Sequence, residues 1–370
     1  MFGRVLALVI KEFLAILRDG KSRMVLVGPP LIQLLVFGYA ASFDLNHVPF
    51  AVYDQDRSIA SRNLVADFAG SRAFEQVATL HSPRQIQSLI DSRTVEMVLD
   101  IDPRFSRDLL TNQPAPVQVI VDGRNSNTAL LILGYANTII ADASATWAAD
   151  HGGATPPTQL DPRALFNPNL DSHWFIIPGI VALLTQVITL LVVGLSIARE
   201  REAGTFDQIL VTPMRPLDIL LGKSIPGMVI GMLEATVSII AAVYWFDVPL
   251  RGGLLELYTG LLLFTAAVTG IGLMISSISA TQQQALLGAF LFMVPSIILS
   301  GFATPIANMP ALVQDLTWIN PMRFALVVIR RCFLEQPSFA SLLTQYAAMA
   351  VLAAISLTVA AWLFQKRSVS

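Results

Sequence analysis

Charge is scarce in this chain: 14% of its 370 residues are charged, against about 25% in soluble domains. Apolar residues make up 54% and mean hydropathy is +0.62, so a single water-soluble core could not hide that much apolar surface. Cysteine is nearly absent. Cys332 stands alone, which excludes an internal disulfide and any cysteine-cluster metal site. Four histidines (His47, His81, His151, His173) are scattered without ligand spacing, so no metal site and no catalytic residue is assigned. A net charge of −2 says nothing about nucleic acid, and no nucleic-acid partner is assigned. Lysine is rarer still, at four residues, and their positions prove informative.

What is abundant is long apolar runs. A helix needs roughly 20 apolar residues to cross a hydrocarbon core of about 30 Å. Six windows qualify: Met24–Phe43, Trp174–Ala198, Ile225–Phe246, Leu257–Ser279, Ala285–Ala303 and Leu342–Phe364. Trp174, Trp245 and Trp362 at or near span ends suit the aromatic belts of the interface. The sequence therefore predicts an α-helical polytopic membrane protein with six transmembrane helices.

Basic residues resist translocation, so their distribution sets orientation. Arg4, Lys11, Arg18, Lys21 and Arg23 precede the first span; Arg199, Arg201, Arg215 and Lys223 lie between the second and third; Lys366 and Arg367 follow the sixth. All four lysines fall on one side, which predicts cytoplasmic N- and C-termini. Residues 1–23 read as a cytoplasmic amphipathic N-terminal helix with Val5, Val9, Phe13 and Ile16 as the stripe in contact with membrane lipid. Its apolar part, Val5–Ile10, is too short for a cleaved signal peptide. Residues 365–370 form a cytoplasmic tail.

Residues 44–173 have soluble composition and predict an inserted α/β extracytoplasmic domain between the first and second spans. Strand patterns at Val48–Tyr53, Phe74–Leu80, Thr94–Ile101 and Val117–Val121 alternate with helical ones at Ser58–Ala69, Pro83–Asp91 and Pro103–Leu110. A last helix at Asn127–Ala149 leads to a Pro- and Asn-rich connector, Pro156–Pro168. The domain carries nine arginines, no lysine and fifteen acidic residues, a net of −6. Within the five-helix region 174–364, residues 304–341 are too polar and proline-punctuated to cross. Helical patterns at Ala311–Trp318 and Met322–Leu334 predict an external re-entrant hairpin, tolerated at membrane depth where it meets protein or water, with an interfacial loop lying flat as the alternative.

Loop 199–224 predicts a coupling element. Gly204 stops the second-span helix, and Thr205 with Gln208 forms a capping-box pattern. The short helix that follows sets Phe206, Ile209 and Leu210 on one face, three apolar knobs suited to a groove on a partner. Gly222-Lys223-Ser224 imitates the end of a phosphate-binding loop, but the glycine required five residues earlier is Leu217. Glu234 is an isolated charge about ten residues into the third span. At that depth an ionisable group costs roughly 2.5–3.5 kcal/mol on insertion scales and should face protein or water. With Gly227, Gly231 and Ser238 it forms one small, polar stripe. The stripe reads either as translocation path or as helix interface, with Gln33 or Gln186 as hydrogen-bond partner of the carboxyl.

Several motifs occur in fixed order. They are Lys11-Glu12-Phe13 with Arg18-Asp19 and Pro29; Tyr53-Asp54-Gln55-Asp56; Val121-Asp122-Gly123; Glu200-Arg201-Glu202, Gly204-Thr205, Thr212-Pro213 and Gly222-Lys223; and Ser300-Gly301-Phe302, Pro305, Met309-Pro310 and Asn320-Pro321-Met322-Arg323. Over nearly its whole length the chain resembles ABC transporter permeases of the ABC-2 type, the multidrug-exporter-like subgroup with a large extracytoplasmic domain. The resemblance implies a homodimer, or a heterodimer with a paralogous permease, bound to two ABC ATPase subunits. It also implies a periplasmic adaptor in a cell with two membranes. ATP and Mg would be bound by the partner ATPase, with no cofactor in this chain. By the same resemblance, the docking loop comprises Glu200, Glu202, Gly204, Thr205, Phe206, Ile209 and Leu210, and the external hairpin carries Gly301, Pro305, Pro310, Pro321 and Arg323. The implied function is outward export of an amphipathic drug-like or lipid-like substrate. Polysaccharide or glycolipid export, and a membrane-anchored receptor or scaffold, are the alternatives.

Overall fold

The computed structural model describes residues 2–18, 20–40, 47–111, 113–124, 126–151, 166, 171–206, 208 and 215–368, with some side chains of the N-terminal helices left aside. The chain divides into two compact units, Phe43–Arg163 and Met1–Ser42 with Ala164–Ser370.

The smaller unit is built on a four-stranded sheet, β1 (Val48–Asp54), β2 (Phe74–Thr79), β3 (Met97–Ile101) and β4 (Val117–Val121), in the order β2-β1-β3-β4. β1 runs parallel to β2 and β3, and β4 antiparallel to β3. Side chains alternate across a strand. Phe50, Val52, Met97 and Leu99 therefore face one layer with α3 (Ile59–Gly70) and α6 (Ser126–Asp150), while Ala51 and Val98 face the other with α4 (Arg84–Asp91). Both sheet faces are covered, which is what makes β1 and β3 almost continuously apolar. Ser58 starts α3 by accepting from the Ser61 amide at 3.1 Å, and Phe68 meets Phe50 and Phe74 with ring centroids 5.9 and 5.2 Å away. A short α5 (Phe105–Leu110) completes the unit.

The larger unit contains α1 (Phe2–Arg18), α2 (Gly20–Ala40), α7 (Ser172–Glu202), α8 (Pro216–Tyr244), α9 (Leu254–Ile278), α10 (Gln282–Ile298), α11 (Ala311–Leu316), α12 (Pro321–Leu334) and α13 (Leu343–Ser368). Among the described residues five helices are long and apolar enough to cross a membrane: Thr128–Asp150, Ser172–Glu202, Leu217–Tyr244, Leu254–Ile278 and Phe339–Lys366. This is a polytopic α-helical membrane protein. The first of the five is the least apolar, and it is the helix the sequence assigns to the α/β domain. Its Ala129, Ile132 and Ala136 are buried, and Ile132 and Ala136 lie in the core formed with the strands.

α9 is central, packed against α7, α8, α12 and α13. Gly270 permits its closest approach, because a Cβ there would lie 2.7 Å from the Leu357 backbone nitrogen. The predicted fifth span, Ala285–Ala303, is corrected: α10 covers 17 residues and ends at Ile298. Pro295 lies inside its last turn, and the chain turns through Ser300 and Gly301, whose φ of +87° suits glycine. Of the stripe expected on α1, Val9 is buried against protein. Leu8, Val9 and the charged Glu12 are the buried residues of that helix, packed toward α8, and Val5 and Phe13 are only half-buried. The connector Pro156–Pro168 lies outside the described residues apart from Phe166.

Candidate functional site

α7 is 31 residues long, about 46 Å at 1.5 Å per residue, so it outruns a 30 Å hydrocarbon layer and carries Arg199–Glu202 beyond it. It ends as expected at Gly204, with φ of +68°, whose amide donates to the Arg201 carbonyl at 3.1 Å. The adjoining turn is fixed from several sides. Thr205 Oγ1 donates to Glu200 Oε2 at 2.9 Å, Glu202 accepts from the Gln282 amide at 2.8 Å, and Arg201 caps the end of α9 by donating to the Ser277 carbonyl at 2.7 Å. Thr205 thus serves the preceding glutamate.

Lys223 lies at the centre of this end of the molecule. Its side chain is 0% exposed, and its Nζ donates to Glu12 Oε1 at 2.9 Å, the Ser196 carbonyl at 3.2 Å and Glu200 Oε1 at 3.4 Å. Those three acceptors match the three N–H donors of an ammonium. Lys11, half exposed, pairs with Glu200 as well. Two lysines and two glutamates from α1, α7 and α8 thus form one charge-balanced cluster. Gly222, next to Lys223, packs against Leu8, where a Cβ would lie 2.7 Å from Leu8 Cγ. The Gly222-Lys223-Ser224 sequence is helical throughout, so it forms no phosphate-binding loop.

Phe206, expected to face a partner, turns inward. It is 8% exposed, edge-on to Phe364 at 5.9 Å between centroids, with the Arg201 guanidinium 4.8 Å over its ring. An aromatic ring within reach of the cores of α1, α8 and α13 gains more from burial there than at the surface. Ile209 and Leu210 lie outside the described residues.

In the middle of the bundle, Glu234 accepts from Ser238 Oγ at 2.6 Å and from Thr185 Oγ1 at 3.2 Å. A Cβ on Gly227 would overlap Val193, and one on Gly231 would overlap Thr189, so the small, polar stripe of α8 meets α7 along its length. Gln186, expected near Glu234, instead donates to Ser296 Oγ at 3.1 Å. Ser296 Oγ in turn donates to Asn320 Oδ1 at 2.8 Å, and Asn320 Nδ2 returns a bond to the Ser296 carbonyl at 2.7 Å. Gln33 is half-buried on α2.

The hairpin after α10 is fixed by its prolines. Pro305 precedes a 3-10 turn at Ile306–Asn308, Pro310 precedes α11, and Pro321 occupies the first position of α12 behind the cap Asn320. A Cβ at Gly301 would lie 3.2 Å from Ile306. Arg323 ties α11 to α12: it donates to the Gln314 carbonyl at 3.3 Å and to Thr317, and lies 4.6 Å over the Trp318 ring. α12 is buried along Phe324, Ala325, Val328, Ile329 and Cys332 among α7, α9 and α13. Among the described residues no group of three or more His, Cys, Asp or Glu could hold a metal ion.

A many-helix membrane body with an α/β insertion, a braced loop after its long second-unit helix and a proline-fixed hairpin is the architecture of a membrane permease. The chain belongs to the ABC-2 family transporter proteins, whose pattern matches residues 23–362. It is 37% identical over 339 residues to a probable multidrug ABC transporter permease of Escherichia coli K12, YbhR, covering 91% of this chain and 92% of that protein. A second, YbhS, is 35% identical over 338 residues, covering 90% and 88%. The inner membrane transport permease YhhJ is 27% identical over 357 residues, covering 93% and 94%. The chain is therefore the permease subunit of an ABC exporter-type transporter. It is the membrane component and not itself catalytic; the ATPase resides in another chain.

The sequence missed the four-residue charge cluster as a unit. Lys11, Glu12, Glu200 and Lys223 each belong to a motif, but the motifs are far apart in the chain. The one available signal was that a lysine adjoining an apolar span, Lys223, needs a buried counter-charge.

Proposed function

We propose that this permease spans a bacterial inner membrane six times, through α2, α7, α8, α9, α10 and α13, with both termini cytoplasmic and residues 44–173 extracytoplasmic. The confinement of all four lysines to one side supports this orientation. α6 then belongs to the external domain. The permease pairs with a copy or a paralogue, and two ATPase subunits bound to ATP and Mg dock on loop 199–224. In a cell with two membranes a periplasmic adaptor meets the external domain.

The cargo is an amphipathic drug-like or lipid-like molecule moved outward, a reading supported by the multidrug names of YbhR and YbhS. The observation that carries the mechanism is the buried Lys223 cluster. Because it bonds the loop-bearing end of α7 to both α1 and α8, a push on the loop moves three helices as one body. Within the loop, Phe206 anchors and Ile209 and Leu210 engage the ATPase.

The test is a co-purification with the partner ATPase. Ile209→Asp with Leu210→Asp should abolish co-purification while leaving the permease folded; undiminished assembly would refute the docking assignment. Glu234 belongs to the same bundle, either on the cargo path or at the α7–α8 interface. In Glu234→Gln, a transport loss confined to cationic cargo assigns the path, and full retention assigns the interface.

A further inference from the structure

The α/β unit contains a groove that the transport cycle above does not use. It lies between α3 and α6, encloses about 550 Å³, and is floored by Leu64, Phe105 and Val117. That volume is within the 300–1,000 Å³ typical of small-molecule sites. Trp147 forms part of one wall and is held in place by stacking on His151, with ring centroids 3.8 Å apart.

The groove's charges are all of one sign. Asp67 on α3 and Asp142 and Asp150 on α6 line it, no lysine or arginine does, and none of the three aspartates has an ion-pair partner among the described residues. Carboxylates on both walls above an apolar, Trp-bearing floor complement a molecule with a hydrophobic body and a positive charge. The aromatic face adds attraction for a cation.

We infer that the groove between α3 and α6 is a binding site for cationic, hydrophobic small molecules, separate from the membrane bundle. Such a site would hold cargo of that class at the external domain. Binding there needs neither ATP nor the ATPase, so its failure would leave the exporter reading untouched.

The experiment uses the full chain in nanodiscs of neutral lipid, with hydrogen exchange measured across residues 59–70 and 139–150. Tetraphenylphosphonium is the probe, and tetraphenylborate, of the same shape and opposite charge, is the control. The phosphonium should slow exchange in both segments and the borate should not. Replacing Asp67, Asp142 and Asp150 together by Asn should weaken phosphonium binding about tenfold and remove its salt dependence. Ala143→Trp, which fills the groove, should abolish the protection while exchange elsewhere stays as in the parent. Protection confined to other segments, equal protection by the borate, or phosphonium binding unchanged in both variants would overturn the assignment. Protection by a basic amphipathic peptide but not by the phosphonium would also overturn it, in favour of a protein partner.

Discussion

Lys223 shows most clearly how one side chain organises the molecule. A buried ammonium is tolerable only when its donors are met and its charge balanced, and Glu12, Glu200 and the Ser196 carbonyl do both. Lys223→Met would leave Glu12 and Glu200 with the half-exposed Lys11 as their remaining counter-charge, at about 3–5 kcal/mol. Thermal unfolding of the purified permease should register that loss, with Glu12→Gln added to Lys223→Met recovering part of it. Lys11→Ala removes a half-exposed partner and should cost about 0–1 kcal/mol. Equal melting of the parent and Lys223→Met would contradict the account. In the α/β unit, hydrogen bonds from Arg124 hold Asp122 at a pKa of about 2, below the ordinary 3.8, while Arg124 also donates to the Ile90 carbonyl at 2.5 Å. A depressed carboxyl pKa stabilises the fold above its unfolded value and loses that contribution as pH falls from about 4 to 2. Arg124→Met should return Asp122 toward 3.8, read by carboxyl NMR titration, and should remove that pH-dependent contribution to the stability of the turn. The individual residues of the Lys223 cluster were legible as motifs. Their pairing was not, because an ion pair between helices leaves no trace in local spacing.

Elements were far more legible. Each strand and helix of the α/β unit follows from alternation or helical spacing bounded by turn residues, and β1 from Val48 to Asp54 extends its pattern by one residue. Long apolar runs likewise located the large helices. What composition could not set was where a helix stops inside an apolar stretch: α10 ends at Ile298 although Leu299 to Ala303 remain largely apolar. Nor did amphipathic spacing show that Leu8, Val9 and the charged Glu12 of α1 are buried against protein. The α7–α8 contact carries its own prediction. Gly231 has no room for a side chain beside Thr189, so Gly231→Leu should destabilise by about 1–3 kcal/mol through overpacking. Thr189→Ala should recover part of that loss in the same melting assay. A neutral Gly231→Leu would mean that the two helices do not meet as described.

For the whole molecule, the family explains why so large a membrane body has no motor: the ATPase is another chain. On the proposed docking, force from the partner enters the bundle through the loop after α7, a helix about 46 Å long. Phe206 is buried beside Phe364, so the proposed docking assigns the ATPase contact to the residues that follow it. Site-specific crosslinking tests this most directly. A photoreactive residue at position 210, in the permease co-expressed with its ATPase, should crosslink to that ATPase, with a yield that changes on ATP binding. The same residue at position 206 should crosslink within the permease. Crosslinking of position 206 to the ATPase, or none from position 210 in a complex that still hydrolyses ATP in response to cargo, would contradict the account.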